Sequence, residues 1–207
     1  PADVERVMRE AMDAGQAPRS VAQHRAVLRS ALSTAMKHGL VGRNVAALAD
    51  APHLPELEYE AVTPAKARAV FQAVRGDRLE AFVTVALACG LREGEALAAK
   101  WDDVDLDAGT LSIQRTLQRI GGEWAFLEPK TKRSRRTISL PAPVVEALRE
   151  HRARQVAERL LVGPAWKGLQ WGHLVFTNEV GGPLNRSTVL RHFQRLLEKA
   201  ELPRWRF

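Results

Sequence analysis

The stretch Ala88-Cys-Gly-Leu-Arg-Glu-Gly-Glu-Ala-Leu-Ala-Ala-Lys-Trp-Asp-Asp-Val-Asp-Leu106 decides the fold, together with Pro129-Lys-Thr-Lys-Arg-Ser-Arg-Arg-Thr-Ile-Ser-Leu-Pro141 downstream of it. An apolar run from about Arg78 to Cys89 leads into the first stretch with helical spacing and stops at Gly90, a residue that takes the left-handed conformation closing a helix at no steric cost. Arg92 and Glu95 follow, three residues apart and therefore on one face of a new helical turn. Gly109–Leu117 and Glu123–Leu127 between the two stretches, and Arg136–Leu140 within the second, have strand composition, and Gly121-Gly122 reads as the turn joining the first pair. The expectation is a small three-stranded antiparallel sheet set between helices.

Working outward, Thr63-Pro64 supplies an N-cap and a proline at the first helical position, opening a helix to about Val74. Pro141 starts a long helix running to about Leu161, and Asn185 caps a last one, Arg186–Ala200. Upstream, Ser20–Gly39 places Val21, Val27, Leu28, Ala31, Leu32, Ala35 and Met36 near one helical face, which predicts a buried stripe, and a shorter helix precedes it near Asp3–Ala14. The segment 51–62 holds two prolines and three spaced glutamates without helical periodicity, as an extended linker does. The organisation expected is a helical part at 1–50, a linker at 51–62 and a larger domain at 63–207. The fold class is mainly α with a small three-stranded antiparallel sheet, α+β.

The chain has 31 Lys+Arg against 24 Asp+Glu, a formal net charge of +7. Residues 63–207 carry 24 basic and 16 acidic side chains, so the excess belongs to the larger part. A polyanion is the first partner to consider, nucleic acid ahead of an acidic membrane. One cysteine, Cys89, excludes an internal disulfide framework and any multi-cysteine zinc site, and fits a reducing compartment. The longest apolar stretch, Ala81–Leu91, is too short to span a bilayer. Pro1-Ala-Asp-Val-Glu-Arg6 lacks the layout of a signal peptide. The chain reads as soluble and cytoplasmic.

The ordered words G-L-R-x-x-E-x-L at Gly90–Leu97, W-x-D-V-D-L at Trp101–Leu106, a hairpin, and P-K-T-K-x-S-x-R-x-I-x-L at Pro129–Leu140 resemble the catalytic domain of the tyrosine recombinases, the phage integrase family. Leu174–Asn178 and Leu202-Pro203 fall where that family has similar words, and His38–Val45 looks like the end of its core-binding domain. The resemblance implies site-specific cutting and rejoining of double-stranded DNA through a 3′-phosphotyrosine intermediate, without metal or nucleotide cofactor. It implies self-assembly on DNA and a place near the nucleoid of a bacterial or phage-infected cell.

By the same resemblance Arg92 takes the position of the first catalytic arginine, Glu95 that of its nearby acid, and Lys130 that of the hairpin lysine, with Lys132 the other candidate. The chemistry agrees. A phosphodiester under in-line attack gains charge on its non-bridging oxygens, which a planar guanidinium meets with paired hydrogen bonds, and a lysine can protonate the departing 5′ oxygen. Five of the seven residues Lys130–Arg136 are basic. Lys132, Arg133, Arg135 and Arg136 are expected to grip the DNA backbone, which adds salt-sensitive affinity without base specificity. In the helical part, the face with Arg19, Gln23 and Arg43 is expected to touch DNA, so that both parts and the linker clamp it.

The family also needs a second cluster, H-x-x-R with a further His or Trp, then a nucleophilic tyrosine. Two H-x-x-R matches occur, His151/Arg154 and His192/Arg195, but both sit inside expected helices and no tyrosine follows either. The expected place for the true box is directly after Phe207, so the chain reads as incomplete at its C-terminal end, and Tyr59, the only tyrosine, reads as a packing residue. The acidic run Asp102–Asp107 lacks the glycine and bidentate glutamate of a calcium loop. The competing reading from another class is a non-enzymatic DNA-binding regulator or competitor on a recombinase scaffold.

Overall fold

A computed structural model describes residues 1–55, 63–128 and 134–205. The chain divides into two compact units, Pro1–Ala61 and Val62–Phe207.

The first unit holds α1 (Ala2–Asp13), α2 (Pro18–Lys37) and the single turn α3 (Val45–Leu48). Pro18 sits at the start of α2, where its missing N–H costs nothing, and Gly39 just beyond the end is left-handed at φ +69°. Asn44 fixes α3 with its whole amide. Its Oδ1 accepts from the Ala47 N–H at 3.0 Å, and its Nδ2 donates to the Arg29 carbonyl and the Ser33 hydroxyl, both at 2.8 Å. Arg25 ties the following residue back to α2 by donating Nε and Nη2 to the Ala49 carbonyl. Among the described residues the buried core here is a small cluster of Met8, Val21 and Ala49, with Ala46 of α3 also buried. The stripe expected on α2 is therefore buried at Val21 alone, while Val27 is 60% and Met36 42% exposed. Three helices in so short a unit present too little facing surface to cover a twenty-residue helix.

The second unit is built around α5 (Glu80–Cys89), buried at Ala81, Phe82, Val83, Val85 and Ala86 and thus apolar on most of its circumference, as a central helix must be. Around it lie α4 (Pro64–Ala73), α6 (Glu93–Leu97), α7 (Ala142–Val162) and α8 (Arg186–Lys199), with α7 on α5 and α8 on α4. Thr63 and Asn185 cap α4 and α8 by accepting from Lys66 N and Ser187 N, as their sequence positions suggested. Phe82 meets Phe176 edge to face, the ring centroids 5.2 Å apart.

The strands are β1 (Val104–Asp105), β2 (Thr110–Ile113), β3 (Thr116–Ile120), β4 (Glu123–Leu127) and β5 (Arg136–Ser139). Among the described residues all pairings are antiparallel, in two sheets ordered β1-β2-β5 and β3-β4. The mainly α class with small antiparallel sheet structure stands, but the pairing differs from the expected one. The first expected strand is broken at Gln114-Arg115, so that β2 pairs with β5 (Ile113 opposite Arg136) while β3 turns at Gly121-Gly122 to pair with β4. Both glycines have positive φ, +59° and +94°, as a two-residue hairpin turn requires.

Candidate functional site

The site begins where α5 ends. Gly90 is left-handed (φ 60°, ψ 37°), and Leu91 N–H reaches back to the Ala86 carbonyl at 3.0 Å. The chain leaves this cap extended, at φ −67° and ψ 144° for Arg92, which becomes the N-cap of α6. Glu95, at the third position of α6, bends back so that its Oε2 accepts the Arg92 backbone N–H at 3.1 Å, and its Oε1 accepts Arg92 Nη1 at 2.9 Å.

Glu95 has a second arginine. Arg136, the first residue of β5, donates Nη2 to Oε2 at 2.9 Å and Nη1 to Oε1 at 3.2 Å, a two-pronged pairing with a carboxylate that is 7% exposed. Burial alone would raise the Glu95 pKa. The hydrogen bonds from Arg136, then those from the Arg92 backbone and guanidinium, outweigh burial and hold it below the ordinary carboxylate value. Glu95 is thus an ionised, buried anchor. The Arg92 side chain stays 75% exposed, so its remaining N–H groups face outward.

Arg92 opens onto a groove of about 800 Å³ between α6, the β3-β4 hairpin and the start of α8. Arg119, Trp124 and Arg186 also line it. Arg119 lies over its own hairpin, Nε donating to the Gly122 carbonyl and the guanidinium 5.9 Å from the Trp124 ring. Arg186 Nε pairs with Glu93 Oε2 at 2.6 Å. The buried Glu93 Oε1 has no hydrogen-bond partner, and burial raises the Glu93 pKa against the pull of Arg186.

The other sequence candidates are distributed as follows. Arg135 is half exposed and pairs with the exposed Glu128 at 2.8 Å. Lys130, Lys132, Arg133 and Tyr59 lie outside the described residues. Arg19 and Gln23, one turn apart at the start of α2, and Arg43, just before α3, are exposed on the first unit. Neither histidine of the two H-x-x-R matches lines the groove. His151 is buried, its Nε2 2.7 Å from the Val175 carbonyl, and His192 Nε2 binds the Asp77 carboxylate at 2.9 Å. Both serve packing between elements. Cys89 is half-buried beside the core. Among the described residues no three His, Cys, Asp or Glu side chains gather as metal ligands, and no helix is long and apolar enough to cross a membrane.

Sequence reasoning assigned Arg136 to the outer charge run and so missed its bond to Glu95. The signal was present in strand parity, since Arg136 shares its face with Ile138 and Leu140 and therefore points toward the core side.

Residues 60–207 match the model of the phage integrase family. The chain is 35% identical over 192 residues to an integrase of Streptomyces ambofaciens, covering 88% of this chain and 47% of that protein. It is 32% identical over 161 residues to a XerC-like tyrosine recombinase of Caldanaerobacter subterraneus subsp. tengcongensis, covering 73% of this chain and 41% of that protein. The chain thus spans a little under half the length of these curated relatives. In fold it is similar to the Tn1549 transposon integrase solved with a circular intermediate DNA (TM-score 0.76, 18% identity, 97% of this chain and 64% of that one). It is also similar to a lambda integrase tetramer solved on a Holliday junction (TM-score 0.63, 20% identity, 98% of this chain and 53% of that one). The ordered words of the sequence, the arginine-bearing turn after α5 and the family match over residues 60–207 converge: the chain belongs to the phage integrase family.

Proposed function

We propose that this chain is the phosphate-activating part of a site-specific DNA recombinase that cuts and rejoins double-stranded DNA through a 3′-phosphotyrosine intermediate. The observation that carries the reading is the Arg92 guanidinium, three-quarters exposed yet anchored on the buried, ionised Glu95. A fixed cation beside a groove stabilises charge as it develops on a phosphate and costs no reorganisation when the bond breaks. Arg92 is the catalytic cation, and Lys130 supplies the proton for the departing 5′ oxygen. Lys132, Arg133 and Arg135 hold the DNA backbone, and Arg19, Gln23 and Arg43 add contacts from the first unit. Tyr59 is not assigned the attack, since it precedes Arg92 in the chain and the family's nucleophile follows it. Duplex DNA, copies of the same protein assembled on it, a cytoplasmic and nucleoid-associated setting and no cofactor complete the reading.

The test is a shift assay with duplex DNA over a range of salt concentrations, paired with a suicide substrate that traps a covalent adduct. The 207-residue chain should bind, and replacing Lys132, Arg133 and Arg135 with alanine should flatten the salt dependence by ~0.9 for each phosphate no longer neutralised. The chain alone should form no adduct. A protein joining it to a tyrosine-bearing segment should form one, and Arg92→Ala there should suppress cleavage far more than binding. Binding by the joined protein without any adduct would favour the regulator reading. An adduct formed by the chain alone and abolished in Tyr59→Phe would overturn the placement of the residues on the family pattern.

A further inference from the structure

We propose that Arg136 is a positioning residue: acting through Glu95, it holds the Arg92 guanidinium in the orientation presented to the scissile phosphate. This rests on the role of Arg92 as the catalytic cation and adds a residue outside the groove to that site.

Arg92 on its own is poorly held. Three-quarters of its side chain is exposed, and its guanidinium makes one hydrogen bond to Glu95, Nη1 to Oε1 at 2.9 Å. The Arg92 backbone N–H holds Oε2 alone, at 3.1 Å, and a carboxylate turning about that one contact would carry the guanidinium with it. Arg136 removes this remaining freedom, because its two nitrogens meet the two carboxylate oxygens at 2.9 and 3.2 Å and fix the plane of the group. A lysine, with a single charged nitrogen, cannot do this.

Arg136 is itself held from the other side. It stands opposite Ile113 in the β2–β5 pair, and its Nη1 also donates to the Ser134 carbonyl at 3.3 Å. A rigid path therefore runs from the β1-β2-β5 sheet through Arg136 and Glu95 to Arg92. Each link is a hydrogen bond or a backbone ladder, and only Arg92 at the far end is largely exposed. Ser134 lies within the basic stretch that begins at Lys130, so one guanidinium touches both that stretch and the anchor of Arg92. Arg135 is next in sequence and has the same charge, but its bond goes to Glu128, which is 84% exposed and fixes nothing. The neighbouring arginines therefore hold different offices, Arg135 outward to DNA and Arg136 inward to the site.

The experiment uses the 207-residue chain without DNA, so it is independent of whether the chain binds or cleaves. The order parameter of the Arg92 side-chain N–H is measured by nitrogen-15 relaxation in the wild type and in Arg136→Gln, Arg136→Lys and Arg135→Gln, beside thermal melting of each. Wild type should give about 0.8 for Arg92, Arg136→Gln a value in the flexible range below ~0.6, Arg136→Lys a value between these, and Arg135→Gln no change. If Arg136→Gln does not fold, Arg136→Lys decides. Wild-type order of Arg92 in a folded Arg136 variant, even one with a lowered melting temperature, overturns the proposal and leaves Arg136 a structural ion pair. Equal loosening by Arg135→Gln overturns it too, because the effect would then follow net charge. Failure to bind DNA in the shift assay would count against the recombinase reading and leave this result untouched.

Discussion

The Trp101 indole and the Gln155 amide meet across fifty-four residues, Nε1 donating to Oε1 at 2.6 Å. The same glutamine donates its Nε2 to the carbonyls of Leu174 (3.2 Å) and Val175 (2.9 Å) and to the Thr177 hydroxyl (3.1 Å). One buried side chain on α7 thus holds the Trp101–Asp103 turn and the 174–177 segment together. Gln155→Leu, close in size, strands an indole N–H and leaves these acceptors without their amide donor. The expected cost is about 2–4 kcal/mol of unfolding free energy, read by urea denaturation, with DNA binding of the folded fraction unchanged.

His151 stacks near Trp101 and is bonded to the Val175 carbonyl, which requires the proton on Nε2 and leaves the buried Nδ1 as an acceptor with no partner. Burial lowers its pKa, opposed by the bond to Val175, with Arg154 and Arg78 lowering it further and Glu158 raising it. The folded state therefore binds fewer protons than the unfolded one below the ordinary histidine value near ~6.5. Its contribution is fully present above that pH and is lost as the pH falls through the depressed folded value. Melting temperature measured from pH 7.5 to 5 should fall, and His151→Gln, though less stable throughout, should flatten that slope.

Glu95 gives a second acid limb at lower pH. Its folded pKa is depressed, so its stabilisation is present above the unfolded carboxylate value of ~4.3 and disappears as the pH drops through the folded one. Glu95→Ala leaves two arginines facing each other without their anion and should cost about 3 kcal/mol at pH 7. Chemical denaturation repeated at pH 3 should show a much smaller difference from wild type.

A Cβ built on Gly94 would overlap Thr116 Oγ1 and meet the Leu117 carbonyl at 3.4 Å, so α6 lies against β3 with no room for a methyl group. Gly94→Ala should cost about 1–3 kcal/mol. Adding Thr116→Ala removes the closer obstacle and should recover most of that stability, which a double-mutant cycle by thermal melting would reveal. An additive pair would mean that the Thr116 hydroxyl is not the obstacle.

The helices of the larger unit were legible because their ends are written in single residues. Thr63, Gly90 and Asn185 stand where caps must stand, and α5, α7 and α8 begin or end within two residues of the sequence reading. The site was half legible. Arg92 and Glu95 are three apart and declare themselves. Arg136 reaches Glu95 from forty-one residues away, through a strand pairing that local composition does not encode. The break at Gln114-Arg115 was hidden for a related reason, since alternation continues on both sides of it and only tertiary pairing separates β2 from β3. The apolar stripe of α2 failed because periodicity identifies a face able to be buried, and burial also needs a surface opposite.

That break at Gln114-Arg115 makes the β3-β4 hairpin a modular arm. Its root is gripped, with Leu117 buried and Gly94 against Thr116, whereas Ile120 near the tip is 54% exposed. Residues inserted in pairs beyond Gln118 would preserve the alternation of faces and leave the register of β1-β2-β5 unaltered. Over evolutionary time the arm can lengthen or shorten, and its reach can be retuned, while the turn that carries Arg92 keeps its place.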